Sequence, residues 1–133
     1  MSLLKKWFAT DKKSAQPQSQ ASDVPENFWI PLTSMEQMDA WNTEQEHPIY
    51  VFKHSTSCGV SKMVLKDITQ RLTTHRGPGT YFLLHLIENR AISNEIATRF
   101  GVVHQSPQFL KIEQGRCSLH EAHYSILDHS WSA

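Results

Sequence analysis

Residues 47–72 read HPIYVFKHSTSCGVSKMVLKDITQRL, and the fold turns on how this stretch is parsed. Ile49, Tyr50, Val51 and Phe52 form a short apolar run of strand formers after Pro48, the pattern of a strand buried on both faces. Lys53 to Ser57 interrupt it with polar residues. Beyond Cys58, an arc of Val60, Met63, Val64, Leu65, Ile68 and Leu72 recurs at helical spacing. The stretch is thus a strand, a polar turn and a helix, with Cys58 at the junction. Open α/β sheets bind ligands beyond the carboxyl ends of their strands. The first turn of a helix also offers unpaired N–H groups and partial positive charge, which favour a thiolate. Lys53 and His54 add positive character if they face the site. A buried filler cysteine is the plainer alternative, but Ser55, Thr56, Ser57, Gly59 and Ser61 surround Cys58, and a core cysteine more often has apolar neighbours.

The chain has 133 residues, with 13 Lys and Arg against 13 Asp and Glu. That is one domain's length, enough for one moderate core. Zero net charge and no long basic stripe disfavour nucleic-acid binding. Two cysteines do not make a disulfide framework, and no secretory signal is evident, so a reducing cytoplasm is expected. No apolar run approaches the roughly 20 residues that span a membrane.

Residues 1–8 (MSLLKKWF) are a short amphipathic piece, and Thr10 to Pro25 is poor in apolar residues. Residues 1–26 are therefore expected to be a disordered polar tail, with the domain at 27–133. Phe28 to Leu32 reads as a first strand. Thr33 with Glu36 has capping-box spacing, and Met35, Met38 and Trp41 give a helix face. Tyr81 to Ile87 is a second core strand, with His85 inside it read as structural. Ser93 is expected to cap a helix that carries Ile96, Ala97 and Phe100 and stops at Gly101. Phe109 to Ile112, a Gln114–Gly115 turn and Arg116 to Leu119 form a hairpin, and Tyr124 to Trp131 is a last helix. The order β-α-β-α-β-α-β-β-α predicts an α/β fold with a mixed central sheet and helices on both faces, the order of the thioredoxin fold.

Two motifs carry a resemblance. One is Cys58-Gly59-Val60-Ser61 at a helix start. The other is Ser106-Pro107 opening the next-to-last strand, where thioredoxin-fold proteins carry a cis-proline facing the active cysteine. The wording of Lys53 to Ser61 (KHSTSCGVS), Ile92 to Ala97 (ISNEIA), Gly101-Val102, His104 to Gln108 (HQSPQ) and Ala122 to Ile126 (AHYSI) resembles the monothiol bacilliredoxins (YtxJ-type). The likeness runs in order from about Ile30 to Leu127. Ser57 and Gly59 stand where that family usually has Thr and Pro, and glycine loosens the turn.

The resemblance implies a monothiol disulfide reductase. Cys58 attacks the disulfide joining bacillithiol to a client cysteine, the client leaves reduced, and a second bacillithiol releases Cys58. Bacillithiol is then a co-substrate, no cofactor is tightly held, and the partners are S-bacillithiolated proteins. Cys58, His54 and Ser61 are the expected catalytic group. His54 biases the thiol or shuttles a proton, or is simply a strand-end histidine bonded to backbone, and Ser61 is unable to resolve as a thiol. Lys53, Ser57, Gly59, Ser106 and Pro107 are the expected substrate contacts, with the Ser106 backbone pairing the substrate. Cys117 follows the Gln114–Gly115 turn, on the order of 15 Å from the Pro107 end by strand rise. A disulfide needs Cα atoms within about 7 Å, so Cys117 is expected to be structural. His104, His120 and His123 are placed near the site rim. Cys117, His120 and His123 do not read as a zinc set, because residues three apart on a strand face opposite sides.

Two rival functions remain at this point. Cys58-Gly59-Val60-Ser61 also resembles the Cys-Gly-Phe-Ser of monothiol glutaredoxins, which bridge an iron–sulfur cluster between two chains with glutathione. Ser106 before the proline fits that family poorly, and no Gly-Gly segment follows. The other rival is a non-catalytic thioredoxin-fold adaptor whose Cys58 is a sensor, modified but not turned over.

Overall fold

The computed structural model describes residues 27–131, so the tail expected over 1–26 and the last two residues lie outside the described residues. The described residues hold five strands: β1 Ile30–Pro31, β2 Ile49–His54, β3 Thr80–His85, β4 Gln108–Glu113 and β5 Arg116–Ala122. Among the described residues, two α-helices, α1 Gly59–Thr74 and α2 Arg90–Phe100, join them with two 3₁₀ segments, Met35–Met38 and His123–Asp128. The sheet order is β1-β3-β2-β4-β5. Central β2 runs parallel to β3 and antiparallel to β4, and β5 closes the hairpin. This is the expected mixed α/β sheet. No helix among the described residues is long and apolar enough to cross a membrane.

Period-two alternation sorts β2 between two layers. Tyr50 and Phe52 face α1 in a layer with Trp29, Tyr81, Phe109 and Trp131. Ile49 and Val51 face α2 in a second layer with Leu84, Ile92, Ile96 and Leu110, joined by Trp41 and Phe82. All six residues of β2 are buried, as the unbroken apolar run requires.

Several boundaries differ from the sequence reading. The first strand shrinks to Ile30–Pro31 because Phe28 packs in a turn on Tyr81, with ring centroids 4.7 Å apart. The following helix is a single 3₁₀ turn capped at Ser34, not Thr33. Gln37 Oε1 accepts the N–H groups of Thr33 and Ser34 at 2.8 and 2.9 Å, which closes the cap one residue later. β3 ends at His85, where the Asn89 N–H and side-chain amide both turn back to the His85 carbonyl at 3.1 Å. That turn starts α2 at Arg90 with Asn89 as its cap. Ser93, expected as the cap, lies inside the helix and is buried. The last helix is 3₁₀, since the carbonyls of Ile126 and Leu127 are taken by Trp131 Nε1 at 2.8 Å and Arg71 Nη1 at 2.6 Å.

α2 does stop at Gly101, in the left-handed region at φ 66°. A Cβ there meets nothing within 4 Å, so the cost of a side chain is conformational alone. Gly101→Ala is expected to lose about 1 kcal/mol, with Gly101→Asn losing less. Paired thermal melts would check this; equal midpoints for the alanine variant and the parent would contradict it.

Candidate functional site

Cys58 is the N-cap of α1, with extended backbone at φ −110° and ψ 119°. Its carbonyl accepts the Lys62 N–H at 3.1 Å and its own N–H bonds the Ser55 carbonyl at 3.2 Å, so the turn is held on both sides. The thiol is free and partly exposed. No acidic residue occupies the first turn of α1. The residue therefore sits where unpaired helix amides favour an anion, with access from solvent.

His54 and Ser61 come together beneath it. Strand alternation turns His54 to the α1 face, where Nδ1 lies 2.7 Å from Ser61 Oγ. Ser61 Oγ also accepts the Ser55 N–H at 3.1 Å. Ser61 is fully buried and His54 only 6% exposed. Burial, then the neighbouring His85 and Lys62, push the His54 pKa down to about 4. At neutral pH His54 is thus uncharged, and its link to the turn runs through the Ser61 hydroxyl rather than through positive charge.

This carries a stability consequence. An unfolded histidine titrates near 6.5. The native state resists that proton down to about pH 4, so stability is full above 6.5 and is lost as pH falls toward 4. The loss approaches about 3 kcal/mol. Urea unfolding of the wild type and of His54→Asn, whose Oδ1 reaches Ser61 without titrating, is expected to show a smaller pH 7 to pH 4 difference in the variant. Equal differences would remove His54 as the cause.

The Ser106–Pro107 peptide is cis. β2 and β4 pair Lys53 with Gln108, so the next step of the ladder brings Pro107 beside His54 at the end of the sheet that carries Cys58. Pro107 is buried, and its carbonyl accepts the His123 N–H at 3.0 Å. Ser106 Oγ is buried with no hydrogen-bond partner among the described residues. Ser57 and Gly59 are exposed in the Cys58 turn, Ser57 Oγ lying 3.1 Å from Ser55 Oγ.

Lys53 goes elsewhere. Being odd-numbered on β2, it turns to the α2 face, where it is fully buried and Nζ bonds the Ser93 carbonyl and His104 Nδ1, each at 3.3 Å. Burial lowers its pKa to about 8. The structure does not bring its amine to the thiol. Of the three histidines placed near the rim, His104 is engaged with Lys53, His123 is exposed beside Pro107, and His120 is exposed on edge strand β5.

Cys117 pairs with Ile112, toward the Gln114–Gly115 end of the hairpin and away from Pro107. It packs against the α2-side core and points its sulfur to the Leu119 carbonyl at 3.4 Å. Burial pushes its thiol pKa up.

Two histidines named from the sequence have contacts there that it did not foretell. His85 lies level with His54 on β3, with ring centroids 5.7 Å apart. His104 supplies the partner of a buried lysine. The available signal for His85 was the equal position of two histidines at the ends of adjacent apolar strands.

Comparison with known proteins agrees with this geometry. A family model described as monothiol bacilliredoxin BrxC matches residues 30–130. A solved structure described as a candidate oxidoreductase with a thioredoxin fold superposes with a TM-score of 0.66 at 26% identity, covering 76% of this chain and 88% of that one. Mitochondrial thioredoxin 3 from Saccharomyces cerevisiae in its oxidized form gives 0.58 at 17% identity, covering 71% and 83%. A thioredoxin from Trypanosoma brucei brucei gives 0.55 at 16% identity, covering 73% and 80%. The last two matches establish the thioredoxin fold alone.

Proposed function

The chain belongs to the monothiol bacilliredoxin family, and from that premise we propose that it removes bacillithiol from protein mixed disulfides through a Cys58–bacillithiol intermediate. Family and fold support a thiol oxidoreductase. The observation that carries the finer reading is the site's asymmetry: one free thiol at a helix start, Ser61 three residues on, and the second cysteine packed at the other end of the hairpin.

The Cys58 thiolate attacks the bacillithiol sulfur of a client mixed disulfide. A new S–S bond forms on Cys58, the old one breaks, and the client leaves as a thiolate that takes up a proton. Ser61 offers no sulfur for a second attack. A free bacillithiol thiolate therefore attacks the Cys58 adduct, giving bacillithiol disulfide and restoring the enzyme. The first exchange moves the oxidation from client to Cys58 and the second moves it to the small thiol, so electrons balance. A separate reductase recycles that disulfide. The backbone at Ser106 is the proposed edge for pairing an extended client segment, and Ser57 and Gly59 border the entry to the thiol. The proposed setting is the cytoplasm, with small thiol and client proteins as partners and no tightly bound cofactor.

The test is intact mass of the reduced protein after exposure to bacillithiol disulfide and, separately, glutathione disulfide. A single bacillithiol adduct on Cys58, released by free bacillithiol, is the expected result. An adduct that resists excess thiol would make the protein a sensor. No adduct with either disulfide would overturn the reading.

A further inference from the structure

The loop from Gly101 to Pro107 delivers the cis peptide to the site, yet little apolar contact holds it. Val102 is buried, but Val103 is 82% exposed. Polar ties do the remaining work. Gln108 Nε2 donates to the Val103 carbonyl at 3.0 Å, and Gln108 Oε1 accepts the Gln105 N–H at 3.4 Å. Between these points His104 reaches inward. Its Nδ1 lies 3.0 Å from Ser93 Oγ and 3.3 Å from Lys53 Nζ.

The donor inventory fixes the protonation of this cluster. A lysine ammonium has only N–H donors, so a histidine nitrogen bonded to it must be the unprotonated acceptor, with the ring proton on Nε2. Among the described residues, the charged groups acting on His104 are Lys53 from β2 and Arg90 from the start of α2; Ser93, from α2, is neutral. Burial first, and then these two cations, hold the His104 pKa below its usual value. Protonating Nδ1 would remove its acceptor and set a cation against the buried ammonium.

Resting on the function proposed above, we propose that His104 is a positioning residue, docked on Lys53 and Ser93 from the sheet face opposite Cys58, which fixes the Ser106–Pro107 segment for substrate. Lys53 then serves the site by anchoring this loop rather than by meeting the thiol. The loop is docked while Nδ1 is free to accept and loosens when it is protonated.

A titration followed by NMR in the Cys58→Ser background tests this without any exchange chemistry. As pH falls from 7, where Lys53 is mostly ammonium, the His104 ring and the backbone amides of Gln105, Ser106 and Gln108 are expected to shift with one common midpoint. With His104→Asn added, Oδ1 takes the place of Nδ1 and does not titrate, so those amides should stay still. Lys53→Met should raise the His104 midpoint, because a nearby cation is removed. In exchange assays at pH 7, His104→Ala is expected to raise KM for a mixed-disulfide client on the order of tenfold with little change in kcat, and His104→Asn to stay within about twofold of wild type. Amides that ignore the His104 titration, or an unchanged KM in the alanine variant, would overturn the proposal. A wild-type protein inactive in exchange would sink the functional reading instead, while the NMR titration would still decide the role of His104.

Discussion

Cys58→Ser is expected to bring client reduction down to the uncatalysed rate, while Cys117→Ser leaves it near wild type. The two thiols differ in their place in the fold and in what surrounds them. Reactivity depends on thiolate fraction, access and the sulfur a partner can reach. Cys58 is partly exposed at the start of a helix, at the same end of the sheet as the Ser106–Pro107 peptide. Cys117 is packed on the core, bonded to the Leu119 carbonyl, and held toward the thiol by burial. Strand β4 separates its position from Pro107, and that span exceeds the reach of a disulfide. Serine cannot form the mixed disulfide, so no partial activity survives at Cys58. The check is initial rate on an S-bacillithiolated client. Equal loss in both variants would mean that Cys117 resolves Cys58 and that the enzyme is a dithiol one.

The largest expected effect on stability comes from Phe109→Ala. Phe109 has no exposed surface and sits at the centre of the aromatic layer under α1. Its ring centroid lies 4.5 Å from that of Trp131, 5.8 Å from those of Tyr50 and Phe52, and 6.1 Å from that of Trp29. Four large rings fixed by other contacts cannot collapse into the space left. Trp131 is pinned by Nε1 to the Ile126 carbonyl, and Tyr50 by its hydroxyl to the Trp131 carbonyl. Losing such a side chain costs about 3–5 kcal/mol, against a typical domain stability of about 5–15 kcal/mol. Urea unfolding is expected to show the midpoint falling by about 2 M with the slope unchanged. Phe109→Leu should lose much less. A small loss in the alanine variant would show that the layer can repack.

The central part of the fold was legible because β2 and α1 announce themselves by different periods on either side of Cys58. Pattern reading did less well where one side chain decides a boundary. Gln37 moved a cap from Thr33 to Ser34, and Asn89 started α2 before Ser93 could. Neither choice leaves a hydrophobic period. In the site, Cys58, Ser61 and Pro107 could be placed from the strand–turn–helix grammar and family likeness. Lys53 shows what was not legible. Its distance from Cys58 in sequence suggested proximity, but the pleat sends residues 53 and 54 to opposite faces. Its partners, Ser93 and His104, lie 40 and 51 residues away.

That pleated divergence of Lys53 and His54 also bears on how the chain finds its register. Four largely apolar residues precede them, and Ile49, Val51 and Phe52 carry no polar group that would hold them to one side of the sheet. A slip of β2 by one residue would carry the lysine amine into the rings of Trp29 and Phe109 and move the imidazole away from Ser61. A buried charge without its acceptors is among the costliest errors a fold can make. Two adjacent polar side chains, each with partners on one face only, thus act as a key for strand alignment. The misregistered sheet is made a poor competitor during assembly, before any thiol chemistry begins.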